Sequence, residues 1–214
     1  QHLSKLTVFY NYLKPSADSD EKSTFSLLLR KLYVEYGMWS EEKEHSISIT
    51  SFQSEKYPTF SALLNLVRKS LYEDFSKKII HSYLGEHEAA RISRIELTIE
   101  NLVKNYGKIL DGISSIDSFN DELVVSFPIR NLTNLQSEIF QAQIFNIMNM
   151  LWDGMIVNGA PQFRAFNQGH LDFEDATRYL IVIDEAHHII NTRSISQPAV
   201  MYLQRFMREA RKYF

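Results

Sequence analysis

Through the first half of the chain, apolar residues recur every three or four positions, the spacing that lines one face of an α-helix. Leu3, Leu6, Phe9, Tyr10 and Leu13 form the first stripe, which predicts a helix ending before Pro15, with the polar run Ser16–Asp20 as a loop. A second stripe, Phe25, Leu28, Leu29, Leu32, Tyr33 and Tyr36, leads to Gly37, and glycine readily adopts the left-handed conformation that closes helices. Residues 40–56 are polar and follow no sustained period. Pro58-Thr59 then opens a predicted helix through Leu63, Leu66, Val67, Leu71 and Phe75, and another spans Glu86–Tyr106, ending at Gly107. Helix-to-helix packing accounts for all of these stripes, so no chemistry is assigned to them. Residues 1–118 are expected to form an all-α module.

The pattern changes near Asp121. Leu123-Val124-Val125-Ser126-Phe127 is rich in β-branched and aromatic residues and stops at Pro128, which predicts a strand. Leu135–Val157 has the period of a long amphipathic helix carrying Ile139, Phe140, Ile144, Ile147, Met148, Leu151 and Trp152, and residues 158–175 read as a loop. Tyr179-Leu180-Ile181-Val182-Ile183 is a continuous apolar run, the signature of a strand buried on both faces of a parallel sheet. Strand, crossover helix and strand make a βαβ unit, so the fold class is α/β and helix-rich, with the α/β part over residues 119–214.

Composition narrows the options. Hydrophobic residues are 44% and charged residues 23%, the balance of a chain that folds around a core. The absence of cysteine excludes disulfides, thiolate zinc sites and cysteine nucleophiles. The apolar runs fall far short of the ~20 residues a membrane-spanning helix requires, and a cytoplasmic location is expected. A net charge of −3 argues against a uniformly basic nucleic-acid binder, although a local basic patch is compatible with it. The chain starts Gln1-His2-Leu3 without an initiator Met or signal pattern, and Arg211-Lys212-Tyr213-Phe214 lies within a helical period. It is therefore expected to be an internal segment of a longer protein.

The informative chemistry is Asp184-Glu185, adjacent carboxylates that directly follow the apolar run. Open α/β sheets bind ligands at the C-terminal edge of their strands. A nucleotide hydrolase needs one carboxylate to hold Mg²⁺, usually through water, and another to orient or deprotonate the attacking water, and this pair can divide that work. The bland alternative is a strand ending in a solvated turn. His187-His188 is not read as a metal site, because adjacent side chains diverge and H-E-x-x-H spacing is absent. Asp172, Glu174 and Asp175 read as an acidic surface loop. On the last predicted helix, Ala199, Leu203, Phe206, Met207 and Ala210 form an apolar stripe, opposite a face of Gln204, Arg208, Arg211 and Lys212. That basic face is either simply solvated or a charge cluster aimed at a subunit interface or nucleotide phosphates.

Leu180-Ile181-Val182-Ile183-Asp184-Glu185-Ala186-His187, followed by Phe206-Met207-Arg208-Glu209-Ala210-Arg211-Lys212-Tyr213, resembles the VirB/TraE-like conjugative-transfer ATPases of type IV secretion systems, within the FtsK/HerA-like clan of P-loop NTPases. The resemblance covers roughly Asp121–Phe214. It implies a partial RecA-like P-loop NTPase core in which Asp184 is the Mg²⁺-side acid of the Walker B motif and Glu185 the catalytic glutamate. Asp184 and Glu185 would thus face the bound nucleotide. Arg211 would be the arginine finger offered to a neighbouring subunit, with Arg208 the second choice. The cofactors implied are ATP and Mg²⁺. The partners implied are other copies of the chain in a hexameric ring and further components of the secretion apparatus, with DNA as a candidate, at the inner face of the cell membrane.

The sequence also departs from that family. No G-x-x-x-x-G-K-[S/T] motif occurs, and the only Gly-Lys pair, Gly107-Lys108, is followed by Ile109. Residues 1–118 resemble the helical region that the family places between the phosphate loop and Walker B, so the segment alone is expected to lack ATPase activity. Two other readings stay open: a helical partner-binding module of the secretion apparatus carrying a non-catalytic ATPase remnant, and a fragment of a DEAH-type helicase.

Overall fold

The computed structural model describes residues 2–40, 52–113, 122–184, 204, 208 and 209. The chain divides into two compact units, residues 1–115 and 116–214.

The first unit is helical, and its boundaries follow local capping chemistry. Helix α1 spans His2–Leu13, and α2 spans Ser19–Glu35. The Asp18 carboxylate caps α2 by accepting from the Glu21 backbone N–H at 2.7 Å. At the other end Gly37 takes φ 68°, and Gly37 N–H and Met38 N–H donate to the Val34 and Tyr33 carbonyls, each at 2.9 Å. Met38 is thereby folded into the interior, which completes the closure expected at that glycine. Thr59 caps α3 (Phe60–Leu71) through its hydroxyl oxygen.

Helix α3 stops at Leu71, short of the expected Phe75. The chain turns instead into an antiparallel hairpin, β1 (Tyr72–Asp74) with β2 (Ile79–Ile80). Asp74 is the reason: its carboxylate accepts from the backbone N–H groups of Ser76 and Lys77 and from the Ser76 hydroxyl, giving the backbone an alternative to another helical turn. Lys78, at φ 56°, lies over the rings of Tyr72 and Phe75. Helix α4 (Glu86–Leu110) in turn runs through Gly107 instead of ending there. It closes beside Asp111, whose carboxylate accepts from the Ser61 backbone N–H at 2.8 Å and from the Ser61 hydroxyl.

Packing of α3 along α4, with α2 across both, produces one core: Phe25, Leu29 and Leu32 meet Leu63, Val67 and Leu71 and then Ile92, Ile95 and Ile99. Two carboxylates are buried at its margin. Glu21, 1% exposed, accepts from Tyr10 Oη at 2.6 Å and pairs with Lys14 Nζ at 2.8 Å and Arg94 Nε at 2.7 Å, so α1, its following loop, α2 and α4 are tied at one point. Glu96 pairs with Arg68 Nε at 3.0 Å and accepts from Tyr72 Oη at 2.9 Å, tying α3 and β1 to α4. Burial pushes the Glu21 carboxyl upward, but hydrogen bonds from Lys14, Tyr10 and Arg94 outweigh it and leave the group below its ordinary 4.5. The Tyr10 phenol is correspondingly raised, by burial first and then by its bond to Glu21. Burial and the bond to Glu96 push Tyr72 up to about 12.

In the second unit a 3-10 turn, Ile129–Asn134, precedes α5 (Ser137–Asn167). The expected helix is present but extends past Val157, so much of the expected 158–175 loop is helical. Pro161 lies inside it, where its missing N–H costs one backbone bond. The helix ends at Gly169, φ 71°, with Gly169 and His170 N–H donating to the Phe166 and Ala165 carbonyls. The two expected strands are the principal correction. Neither Leu123–Phe127 nor Tyr179–Ile183 forms a strand, and among the described residues the only sheet is the β1–β2 hairpin. A strand exists only through hydrogen bonds to a neighbour, and apolar residues of both segments stand in solvent, Leu123 at 100% and Leu180 at 86% exposure. β-propensity and apolarity marked these segments without providing a neighbour to pair with.

Replacing Glu21 with alanine removes the acceptor shared by Tyr10, Lys14 and Arg94. Urea titration of this chain should show a loss of about 3 kcal/mol, the low end for a broken buried ion pair because both cations keep access to water. Because the folded-state pKa of Glu21 is depressed, its contribution is fully present above 4.5 and is lost as pH falls through the lower folded value. Between neutrality and pH 3, wild type should therefore lose more stability than Glu21→Gln.

Candidate functional site

The site region is built on one face of α5. Ile144, Met148, Leu151, Met155, Asn158 and Gln162 follow one another at spacings of four and three, so they line a single stripe. Its apolar part carries the second unit's described cluster: Ile144 and Met148, joined by Phe140, Leu151 and Trp152, pack with Ile181 and Ile183 and with Ile129 from the 3-10 turn. Burial alternates along the run before the carboxylates. Tyr179, Ile181 and Ile183 are half-buried, while Leu180 and Val182 are 86% and 80% exposed. The side chains thus follow the period of two of a β-strand, although among the described residues no strand pairs with the segment.

The polar end of the stripe holds the start of that segment. Gln162 Nε2 donates to the Thr177 carbonyl at 3.1 Å, and Thr177 N–H donates to Gln162 Oε1 at 2.6 Å. Asn158 Nδ2 donates to the same carbonyl at 3.2 Å. The intervening loop is closed by Arg178, which donates to the Phe173 carbonyl at 2.6 Å and lies over the Phe173 ring. Met148 and Gln162 lie about 21 Å apart at helical rise, and an extended chain covers about 20 Å from Thr177 to Ile183. An extended run leaving Gln162 therefore reaches the apolar end of the stripe as it arrives at Asp184.

Asp184 is exposed at the end of this run. Glu185, Arg211, His187, His188 and Lys212 lie outside the described residues. Gln204 and Arg208 are helical and exposed four residues apart, as expected for a polar helical face. The acidic loop residues Asp172, Glu174 and Asp175 are exposed as expected. Among the described residues no group of three or more His, Asp or Glu side chains could hold a metal ion, and no helix is long and apolar enough to cross a membrane. Asn158 and Gln162 went unmarked by the sequence patterns because the stretch containing Gly159 and Pro161 reads as a loop. Their spacing of four, continuing the apolar stripe past Val157, was the available signal.

No family model matches the chain. It is 23% identical over 215 residues to an uncharacterized protein of Bacillus anthracis, a match that takes in all of this chain and 32% of that protein. The chain thus spans about a third of the length of the curated relative it matches. The fold is VirB4-like over almost the whole chain, in keeping with the resemblance to type IV secretion ATPases. Against the structure of VirB4 of Thermoanaerobacter pseudethanolicus the TM-score is 0.66 at 17% identity, covering 99% of this chain and 61% of that one.

If α5 holds residues 179–183 by one side, truncations should alternate in effect. Ile183→Ala should cost the second unit about 1–2 kcal/mol, less than a fully buried Ile→Ala because the side chain is half-buried. Val182→Ala should stay within about 0.5 kcal/mol. Urea titration monitored by Trp152 fluorescence in a Trp39→Phe background would compare them.

Proposed function

We propose that this chain is part of an ATP-hydrolysing motor that powers conjugative transfer of DNA or protein through a type IV secretion system. The observation that carries the reading is the VirB4-like fold along 99% of the chain. The Asp184-Glu185 pair at the end of the run held by α5 adds the chemistry to it. In this reading residues 1–118 are the helical module between Walker A and Walker B, and residues 119–214 belong to a RecA-like core of the FtsK/HerA-like type. ATP and Mg²⁺ are its cofactors, supplied with a phosphate loop by the longer protein.

Each site residue then has one task. Asp184, exposed beyond Ile183, would hold the Mg²⁺ through water, and Glu185 would orient the attacking water. Arg211, or Arg208 three positions before it, would reach the nucleotide of the next subunit in a ring and meet charge that develops as the terminal phosphoryl group transfers. Binding and positioning of the phosphates would fall to the loop that this sequence does not contain. The apparatus at the inner face of the membrane is the partner, with transferred DNA as a candidate second.

In the full-length protein, Glu185→Gln should abolish magnesium-dependent ATP hydrolysis while leaving nucleotide binding nearly intact. Arg211→Ala should lower turnover by a factor on the order of 10³, because a finger acts mainly in the transition state. Mixing the two variants should restore part of the activity, since an intact Arg211 from one subunit can then meet an intact Glu185 of another. The 214-residue segment alone should hydrolyse ATP no faster than buffer. Full turnover in Glu185→Gln would transfer the role of this region to partner binding.

A further inference from the structure

Residues 180–183 pose a register problem. Leu180, Ile181, Val182 and Ile183 are consecutive and all apolar, so the α5 face could accept Ile181 with Ile183 or, one residue out of step, Leu180 with Val182. The two pairs differ by a single methylene, so these four residues by themselves discriminate poorly between the registers, with Tyr179 adding to the first. A slip of one residue in an extended segment turns every side chain to the opposite side. It would carry Asp184 to the opposite side as well.

A directional polar contact can separate the two registers, and the structure contains one. The Gln162 amide meets both backbone groups of Thr177, donating to its carbonyl at 3.1 Å and accepting from its N–H at 2.6 Å, as a neighbouring strand would. Nε2 of the same amide also donates to the Asn158 carbonyl at 3.2 Å, which fixes the side chain against its own helix. The Asn158 side chain adds its bond to the Thr177 carbonyl. In a one-residue slip the amide would face the backbone of residue 176 or 178, whose N–H and carbonyl point to the opposite edge of an extended chain. Ala176 is buried and Arg178 is bound to Phe173, so neither neighbour is free to take Thr177's place.

We propose that Gln162 is a positioning residue whose side-chain amide sets the register of residues 179–183 on α5, and so the side on which Asp184 emerges. The catalytic consequence rests on reading Asp184 as the metal-side acid.

The test uses the full-length protein and two readouts: hydrogen exchange of the amides from Thr177 to Ile183, and kcat and KM for ATP with Mg²⁺. Gln162→Leu should speed exchange of the Thr177 amide about tenfold, as loss of its acceptor predicts, with α3 and α4 unchanged. It should lower kcat about tenfold with KM within about twofold, because misplaced catalytic groups lose rate more than binding. Gln162→Glu keeps the acceptor for Thr177 N–H but not the donor, and should fall between wild type and Gln162→Leu in both readouts. Unchanged exchange in Gln162→Leu overturns the proposal. So does faster exchange with unchanged kcat in a protein whose Asp184→Asn variant is inactive. Where Gln162→Leu loosens α5 as a whole, Gln162→Glu decides: it must speed exchange at Thr177 with α5 still protected, and failure to do so also overturns the proposal. If Asp184→Asn retains full turnover, the metal reading of Asp184 fails, and the register role stands or falls on exchange alone.

Discussion

The second unit depends on the packing of an unpaired extended segment against a single helix. Residues 179–183 have no strand beside them among the described residues, so hydrogen bonding to a neighbour does not hold them in place. Ile181 and Ile183 inserted among the α5 side chains do, together with the amide clamp at Thr177. Helix and segment are therefore a coupled pair, the helix giving a continuous stripe and the segment giving every second side chain to it. Where Asp184 emerges follows from that coupling.

In the first unit the corresponding constraint is electrostatic. Glu21 and Glu96 are buried carboxylates, each surrounded by a phenol and basic groups from separate elements. Apolar packing alone lets helices slide and rotate with modest loss. A buried carboxylate left without its partners does not, because its desolvation is then uncompensated. The two clusters thus specify how α1, α2, α3, α4 and the hairpin meet, beyond what the apolar stripes achieve. Neither cluster contains a residue of the proposed site, and their role is architectural.

The fold likeness and the site bear on function unequally. A VirB4-like fold along the chain describes its architecture. The assignment of chemistry still depends on particular carboxylates and an arginine, because folds host many activities and only a site performs one. Asp184 is exposed at the end of the segment held on α5.

The helices of the first unit were legible in the sequence because apolar period and capping residues are local: Asp18, Gly37 and Thr59 act within a few positions of themselves. The early end of α3 at Leu71 depended on Asp74 and Ser76 turning the chain back, and α4 passes through Gly107 to close beside Asp111, whose carboxylate bonds to Ser61 fifty positions earlier. The apolar run ending at Asp184-Glu185 was equally plain in the sequence, since composition alone marks a buried or strand-like segment. Whether that run pairs, which of its side chains face α5, and that Gln162 of the helix holds Thr177 were decided only in three dimensions. Four consecutive apolar residues carry no preferred face, and a side-chain amide gains meaning only when the fold brings a backbone across from it.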